Sequence, residues 1–167
     1  MQQREDTYVV VDEGHLLYKI VWPRGVSFGE IAVRYVKYLQ NYYRSNIRVV
    51  FDGYPSTYQK KTPRALNVFV AMSSPDAVFD ETTIAPVSQE KFLSNNRNKV
   101  RLIDMLKVHL DRNKILTLQA EEDADRLIVT TAISMSSTYD AVKIAGEDID
   151  LLVMLCGLSS DGGEHTL

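Results

Sequence analysis

Two stretches, Tyr8-Val-Val-Val-Asp12 and Ile47-Arg-Val-Val-Phe-Asp52-Gly53, decide the fold class of this chain. Each is a short run rich in β-branched and aromatic residues that ends on an aspartate, which is typical of a strand buried inside a sheet. Between them, residues 28–46 carry apolar side chains at helical spacing, and Ser27 is a candidate helix cap. The order is therefore strand, helix, strand.

The second half of the chain repeats this alternation. The spacing predicts a helix over 96–110, a strand over 114–118, a helix over 121–135, a strand over 141–145, and a further helix or apolar core segment over 147–155. Alternating strands and helices predict an α/β fold with a mainly parallel central sheet covered on both faces. We therefore expect a three-layer, Rossmann-like domain.

Length and composition limit the class of protein. With 167 residues, 45% of them hydrophobic, we expect one domain over residues 1–158 and a polar tail over 159–167. A net charge of −3 argues against a protein that coats nucleic acid by bulk charge. The first residues lack an apolar signal region, and the apolar run 151–156 is too short to span a bilayer. We expect an intracellular protein, nuclear or cytoplasmic, with no membrane partner.

Four acidic segments lie where a predicted strand ends or a predicted helix begins. Their acids are Asp12; Asp52; Glu121, Glu122, Asp123 and Asp125; and Glu147, Asp148 and Asp150. The carboxyl ends of parallel strands meet at one edge of a sheet, where ligand sites of open α/β sheets form. Carboxylates gathered there repel one another, and an all-oxygen cluster suits Mg²⁺ or Mn²⁺ better than zinc or copper. The sequence therefore predicts a metal-dependent enzyme acting on phosphates.

Each acid also has a simpler structural explanation. An aspartate after a strand is often a helix cap or turn former, and an acid in a first helical turn is favoured by the positive end of the helix. Residues i and i+2 of a helix point to different sides, so Asp123 and Asp125 reach one ion only from a loop and a first turn. Otherwise Asp125 would converge with Glu121 or Glu122.

The stretch 54–93 contains no clean predicted strand and directly follows the second acidic segment. It holds Lys60, Lys61 and Arg64, and insertions at the active edge of such folds commonly form lids or substrate clamps. A surface loop with some helix is the alternative. Arg97 and Lys99, early in the next predicted helix, are candidate phosphate contacts, although a solvated helix face explains them as well.

Taken in order, these motifs resemble those of the PIN-like nucleases, most closely the flap-endonuclease and five-prime-exonuclease branch. The resemblance rests on Val-Val-Asp12, Val-Phe-Asp52-Gly, Asp123-Ala-Asp125 and Gly-Glu-Asp148-Ile-Asp150-Leu-Leu, and it covers roughly residues 7–157. Two blocks, 56–61 and 92–99, are also similar to uncharacterised PIN-like proteins associated with mobile elements.

The resemblance implies a parallel-sheet α/β fold and Mg²⁺- or Mn²⁺-dependent hydrolysis of phosphodiester bonds in DNA or RNA, with single-stranded or flap-like substrates among the candidates. It implies two ions about 4 Å apart. Their ligands would be Asp12, Asp52, Asp123, Asp125, Asp148 and Asp150, with Glu122 as a further candidate. Lys60, Lys61 and Arg64 would form the clamp over the scissile phosphate.

The chain also departs from the family pattern. Glu13 stands where a small residue usually follows the first aspartate, and no helix-hairpin-helix follows the fourth motif. A shortened, inactive PIN-like scaffold that binds nucleic acid or protein without cutting is therefore the main alternative. A toprim-type metal domain built on Asp148 and Asp150 is a second one, which Asp12 and Asp52 fit poorly.

Overall fold

The computed structural model describes residues 6–44, 46–54 and 74–146. In chain order they form β1 (Thr7–Asp12), α1 (Glu13–Lys19), α2 (Phe28–Tyr43), β2 (Ile47–Phe51), α3 (Gln89–Leu93), α4 (Asn96–Arg112), β3 (Leu116–Gln119), α5 (Asp125–Met135) and β4 (Ala141–Ala145). The predicted α/β class is confirmed. The predictions made for the helix from 147 and for the tail lie outside the described residues.

The four strands form one parallel sheet in the order β3-β2-β1-β4. This order matches the first four strands of a Rossmann-like sheet, with β2 and β1 in the centre. Val11 pairs with Val49 on one side and with Ala145 on the other, and Phe51 pairs with Gln119. All four strands therefore end at the same edge.

Burial explains why the central strands read as continuous apolar runs. Tyr8 to Val11 are buried in succession, and so are Val49 to Phe51, although neighbouring residues of a strand point to opposite faces. Both faces of the sheet centre are thus shielded from solvent, as in a parallel sheet of a three-layer fold. On one face, Tyr8, Val10 and Val50 form a common core with α5.

Several element boundaries differ from the prediction, and three of these differences have a clear local reason. α2 ends at Tyr43 because Arg44 and Asn46 have positive φ angles of 68° and 57°. β3 begins at Leu116 because Lys114, with φ of 60°, turns the chain out of α4. α5 begins at Asp125 rather than 121, and the preceding residues form a loop. The seven-residue α1 was not predicted, since it follows β1 without a loop.

The chain divides into two compact units, a sheet unit and a helical unit. The sheet unit contains all four strands and lies within Met1–Tyr18, Tyr43–Gly53 and Ile115–Leu167. The described residues of the helical unit are 19–42, Tyr54 and 74–114. No helix of the described ranges is long and apolar enough to cross a membrane.

The helical unit has an aromatic core. The rings of Phe28 and Phe79 stack with centroids 4.1 Å apart, and Trp22 donates a hydrogen bond from Nε1 to the Tyr35 hydroxyl at 3.0 Å. Phe79 belongs to the predicted insertion 54–93, of which the structure describes Tyr54 and residues 74–93, and its ring is part of this core. Ser27 caps α2 as predicted, because its Oγ accepts from the Glu30 N–H at 3.3 Å while the Glu30 carboxylate accepts from the Ser27 N–H at 2.8 Å.

Candidate functional site

Asp12, the first predicted site residue, joins β1 directly to α1. Its Oδ2 accepts a hydrogen bond from the His15 N–H at 3.1 Å, which is the geometry of a helix N-cap. Burial raises the pKa of the Asp12 carboxyl above its usual range, and the neighbouring Glu13 carboxylate raises it further. The hydrogen bonds from the N–H groups of His15 and Gly14 oppose that shift.

Glu13 is a site residue that the sequence reasoning missed. Its side chain is 0% exposed, and its Oε2 accepts from the Asp52 N–H at 2.9 Å, so it ties the end of β1 to the end of β2. Helical spacing contained the signal: Glu13, Leu16 and Leu17 lie at i, i+3 and i+4, and all three are buried on one face of α1.

Asp52 connects the end of β2 to the start of α5. Its Oδ1 accepts from the Ala124 N–H at 3.2 Å, and its main-chain oxygen accepts from the Gln119 side-chain amide. Immediately after it, Gly53 lies so close to the same loop that a Cβ at this position would clash with the Glu121 carbonyl oxygen. Only glycine allows this approach of the two backbones.

In the third acidic segment, Asp123 and Asp125 lie respectively in the loop before α5 and in its first turn, the placement from which both could reach one ion. Asp123 Oδ1 accepts from the Asp125 N–H at 2.9 Å. Glu121 and Glu122 are exposed. The segment thus combines a helix-initiating turn with carboxylates at the edge where β1 and β2 end.

Three of the four acidic segments therefore lie at one edge of the sheet. The fourth follows Ala145, the partner of Val11, but Asp148 and Asp150 lie outside the described residues, as do Lys60, Lys61 and Arg64. Within the part of the chain that the structure describes, no three His, Cys, Asp or Glu side chains form a metal-binding group. The metal centre stays a prediction.

No protein-family model, curated protein or solved structure matches this chain. The resemblance to the PIN-like nucleases therefore stays a prediction from the motifs, and any assignment of function depends on the residues and their geometry.

Arg97 and Lys99, the remaining predicted contacts, lie in the helical unit and take part in interactions there. Arg97 pairs with Asp76 at 2.5 Å, and the Lys99 Nζ lies 5.4 Å from the centre of the Tyr54 ring. Hydrogen bonds from Asn95 and Arg97 hold the pKa of the Asp76 carboxyl below its usual range. Arg97 thus has a structural role, since it helps to hold the 74–77 segment against the start of α4.

Proposed function

We propose that this protein is a divalent-metal-dependent nuclease that hydrolyses phosphodiester bonds of DNA or RNA at the carboxyl edge of the sheet. The observation that carries the proposal is the position of Asp52. Its carboxylate contacts the N–H of Ala124, the residue between Asp123 and Asp125, while its own N–H is bound by Glu13, next to Asp12. Acids that are far apart in sequence are thereby brought to one edge.

The chemistry of these residues fits Mg²⁺ or Mn²⁺, because all the donors are carboxylate oxygens. The ligands would be Asp12, Asp52, Asp123 and Asp125, completed by Asp148 and Asp150. When bound, such ions activate a water molecule and stabilise the leaving oxygen of an in-line displacement. The raised pKa of Asp12 fits the proposal as well, because burial and, to a smaller extent, the Glu13 carboxylate disfavour the charged form, and a nearby cation would favour it.

A scaffold that binds nucleic acid or protein without cutting is the second candidate. It is favoured by the hydrogen bonds of the same carboxylates, because Asp12, Asp52 and Asp123 each bind a main-chain N–H at the start of α1 or α5. These hydrogen bonds stabilise the start of each helix, and this role of the aspartates requires no metal ion.

Cleavage assays on single-stranded, duplex and flap substrates, in Mg²⁺, Mn²⁺ or EDTA, test the nuclease proposal. Asp52→Asn and Asp148→Asn should abolish metal-dependent cleavage and leave nucleic-acid affinity equal or slightly higher, because a negative charge near the phosphate is lost. Asp104→Asn, the same change at an exposed position of α4, should cut like the wild type. If Asp148→Asn cuts as fast as the wild type, the assignment of these aspartates is wrong.

Thermal melts give a readout that does not depend on activity. Mg²⁺, Mn²⁺ and Ca²⁺ should raise the Tm of the wild type by binding the native state, and Asp52→Asn should reduce that shift. A wild-type Tm that is indifferent to millimolar Mn²⁺ would support the scaffold instead. Lys60→Ala with Lys61→Ala should weaken nucleic-acid binding without changing the metal-induced shift in Tm.

A further inference from the structure

The solvent-facing side of α2 carries basic and aromatic residues at helical spacing. Arg34, Tyr38 and Tyr42 follow one another at intervals of four residues and so lie on one face, with Lys37 beside them. Arg34 and Lys37 are exposed, and Tyr42 is 69% exposed. These four residues form what we call the basic-aromatic face.

The two tyrosines form a prearranged aromatic platform. Their ring centroids are 5.5 Å apart and their planes differ by only 15°. Tyr38 is half-buried with its hydroxyl group buried, so its ring is held in place and supports the exposed ring of Tyr42. A flat, exposed ring that is already ordered loses little conformational freedom when a second flat group stacks on it.

The charge of this face is opposite to that of the whole chain. Arg34 and Lys37 contribute two positive charges on a protein of net charge −3. Glu30, the acid in the first turn of α2, precedes Arg34 by four residues on the same face; hydrogen bonds from Ser27, and to a smaller extent the Arg34 charge, lower the pKa of its carboxyl. No acid stands three or four residues from Lys37. From Arg34 to Tyr42 the face extends about 12 Å along the helix, the length of roughly three stacked nucleotides at about 3.4 Å each.

We infer that the basic-aromatic face of α2 binds single-stranded nucleic acid, with an unpaired base stacked on Tyr42 and phosphates near Arg34 and Lys37. The choice of partner rests on the proposed function, whereas the surface does not depend on the metal site. Stacking on an exposed ring requires an unpaired base, and combining rings with cations is the usual way in which proteins hold single strands. The overall acidity of the chain makes such a local basic surface necessary.

Fluorescence anisotropy with labelled oligothymidylate and oligouridylate in EDTA tests this inference without cleavage. Tyr42→Ala should weaken binding at least fivefold, given about 1–3 kcal/mol per stacked base. Tyr42→Phe should bind like the wild type, because it keeps the ring. Tyr18→Ala, which removes a tyrosine that is 57% exposed on α1, is the matched control and should not change the affinity.

The charged residues have their own measurable effect. Arg34→Ala with Lys37→Ala should make the negative slope of log K against log salt shallower by about 1.4, since each phosphate contact to a single strand contributes about −0.7. The affinity for a fully paired duplex should change little in Tyr42→Ala. The two oligonucleotides show whether the face distinguishes DNA from RNA.

The inference is overturned if Tyr42→Ala binds single strands like the wild type, or if Tyr18→Ala loses as much affinity. It is also overturned if Tyr42→Ala changes only the self-association of the protein, because the face then binds a second copy. Its failure is distinguishable from failure of the nuclease proposal. If binding depends on Tyr42 but no metal-dependent cleavage occurs, the basic-aromatic face belongs to a scaffold and the nuclease proposal is wrong. If cleavage occurs but binding does not depend on Tyr42, the nuclease proposal stands and this inference is wrong.

Discussion

Replacing Glu13 by alanine removes a buried carboxylate and leaves the Asp52 N–H without the acceptor that it now contacts at 2.9 Å. An N–H left unsatisfied costs about 1–3 kcal/mol when it is fully buried, and Asp52 is half-buried, which places its cost toward the lower value. The loss of one buried methylene of Glu13 adds about 0.8 kcal/mol. We therefore expect Glu13→Ala to lower the free energy of unfolding by roughly 2–4 kcal/mol. Relief of the repulsion between Glu13 and Asp12 works in the opposite direction and favours the lower end of that range.

Glu13→Gln is the matched control, because glutamine keeps the length of the side chain and a carbonyl oxygen that accepts from the Asp52 N–H. It should lower the free energy of unfolding by less than about 1 kcal/mol. Urea denaturation followed by far-UV circular dichroism measures both variants. Amide hydrogen exchange of Asp52, followed by NMR, should be fast in Glu13→Ala and protected in Glu13→Gln.

Two outcomes would refute this reasoning. If Glu13→Ala is as stable as the wild type and keeps the Asp52 N–H protected, the hydrogen bond does not hold the strand ends together. If Glu13→Gln is as unstable as Glu13→Ala, the charge of Glu13 matters rather than its acceptor oxygen.

Three other changes test the same structure. Because its pKa is raised above the ordinary value of 3.8, Asp12 binds its proton more tightly in the native state, so stability is lost as the pH rises from that value through the raised pKa. Asp12→Asn should therefore have a higher Tm than the metal-free wild type at neutral pH and no advantage below the ordinary pKa, as melts across pH would show. Gly53→Ala forces a Cβ against the Glu121 carbonyl and should lower the free energy of unfolding, measured by urea denaturation, by at least about 1–3 kcal/mol. Gly25→Ala is the control: Gly25 has a φ of 72° and open space around it, so this change should cost only the backbone strain of about 1–2 kcal/mol. Asn98→Ala should lower the stability of the helical unit by about 2–4 kcal/mol, because the buried Asn98 amide binds Ala77 N–H, Ser74 Oγ and the Pro75 carbonyl. Trp22 fluorescence during urea denaturation measures this, and an unchanged urea midpoint would contradict it.

The sheet could be predicted from the sequence because its central strands are buried on both faces. Such strands read as uninterrupted apolar runs, and Ile47–Phe51 was predicted with the bounds that the structure has. Helix ends were less predictable. The positive φ angles of Arg44 and Lys114 end α2 and α4, and neither residue type favours that conformation strongly enough to be read from sequence.

The gathering of acids at one edge was also predictable, since it follows from parallel pairing and from the position of each acid after its strand. The contacts between the segments were not. Gly53 lies against Glu121 and Glu13 reaches Asp52 only because β1, β2 and β3 are neighbours, and no local pattern in the sequence contains that information. Helical spacing predicts that Glu13 shares the buried face of Leu16 and Leu17, but only when the start of α1 at Glu13 is already known.

The structural and metal-binding interpretations of these carboxylates are compatible. A carboxylate has two oxygens and about four acceptor sites, so one hydrogen bond to a main-chain N–H orients the group without exhausting it. Asp12 at α1 and Asp52 at α5 are both oriented in this way, and Glu13 fixes the backbone of Asp52. A site whose ligands are held by the fold stays assembled when its ions are removed. Under the nuclease proposal, chelation should therefore abolish cleavage while the Asp52 N–H stays protected from exchange. Loss of Glu13 should expose that N–H even in saturating Mg²⁺.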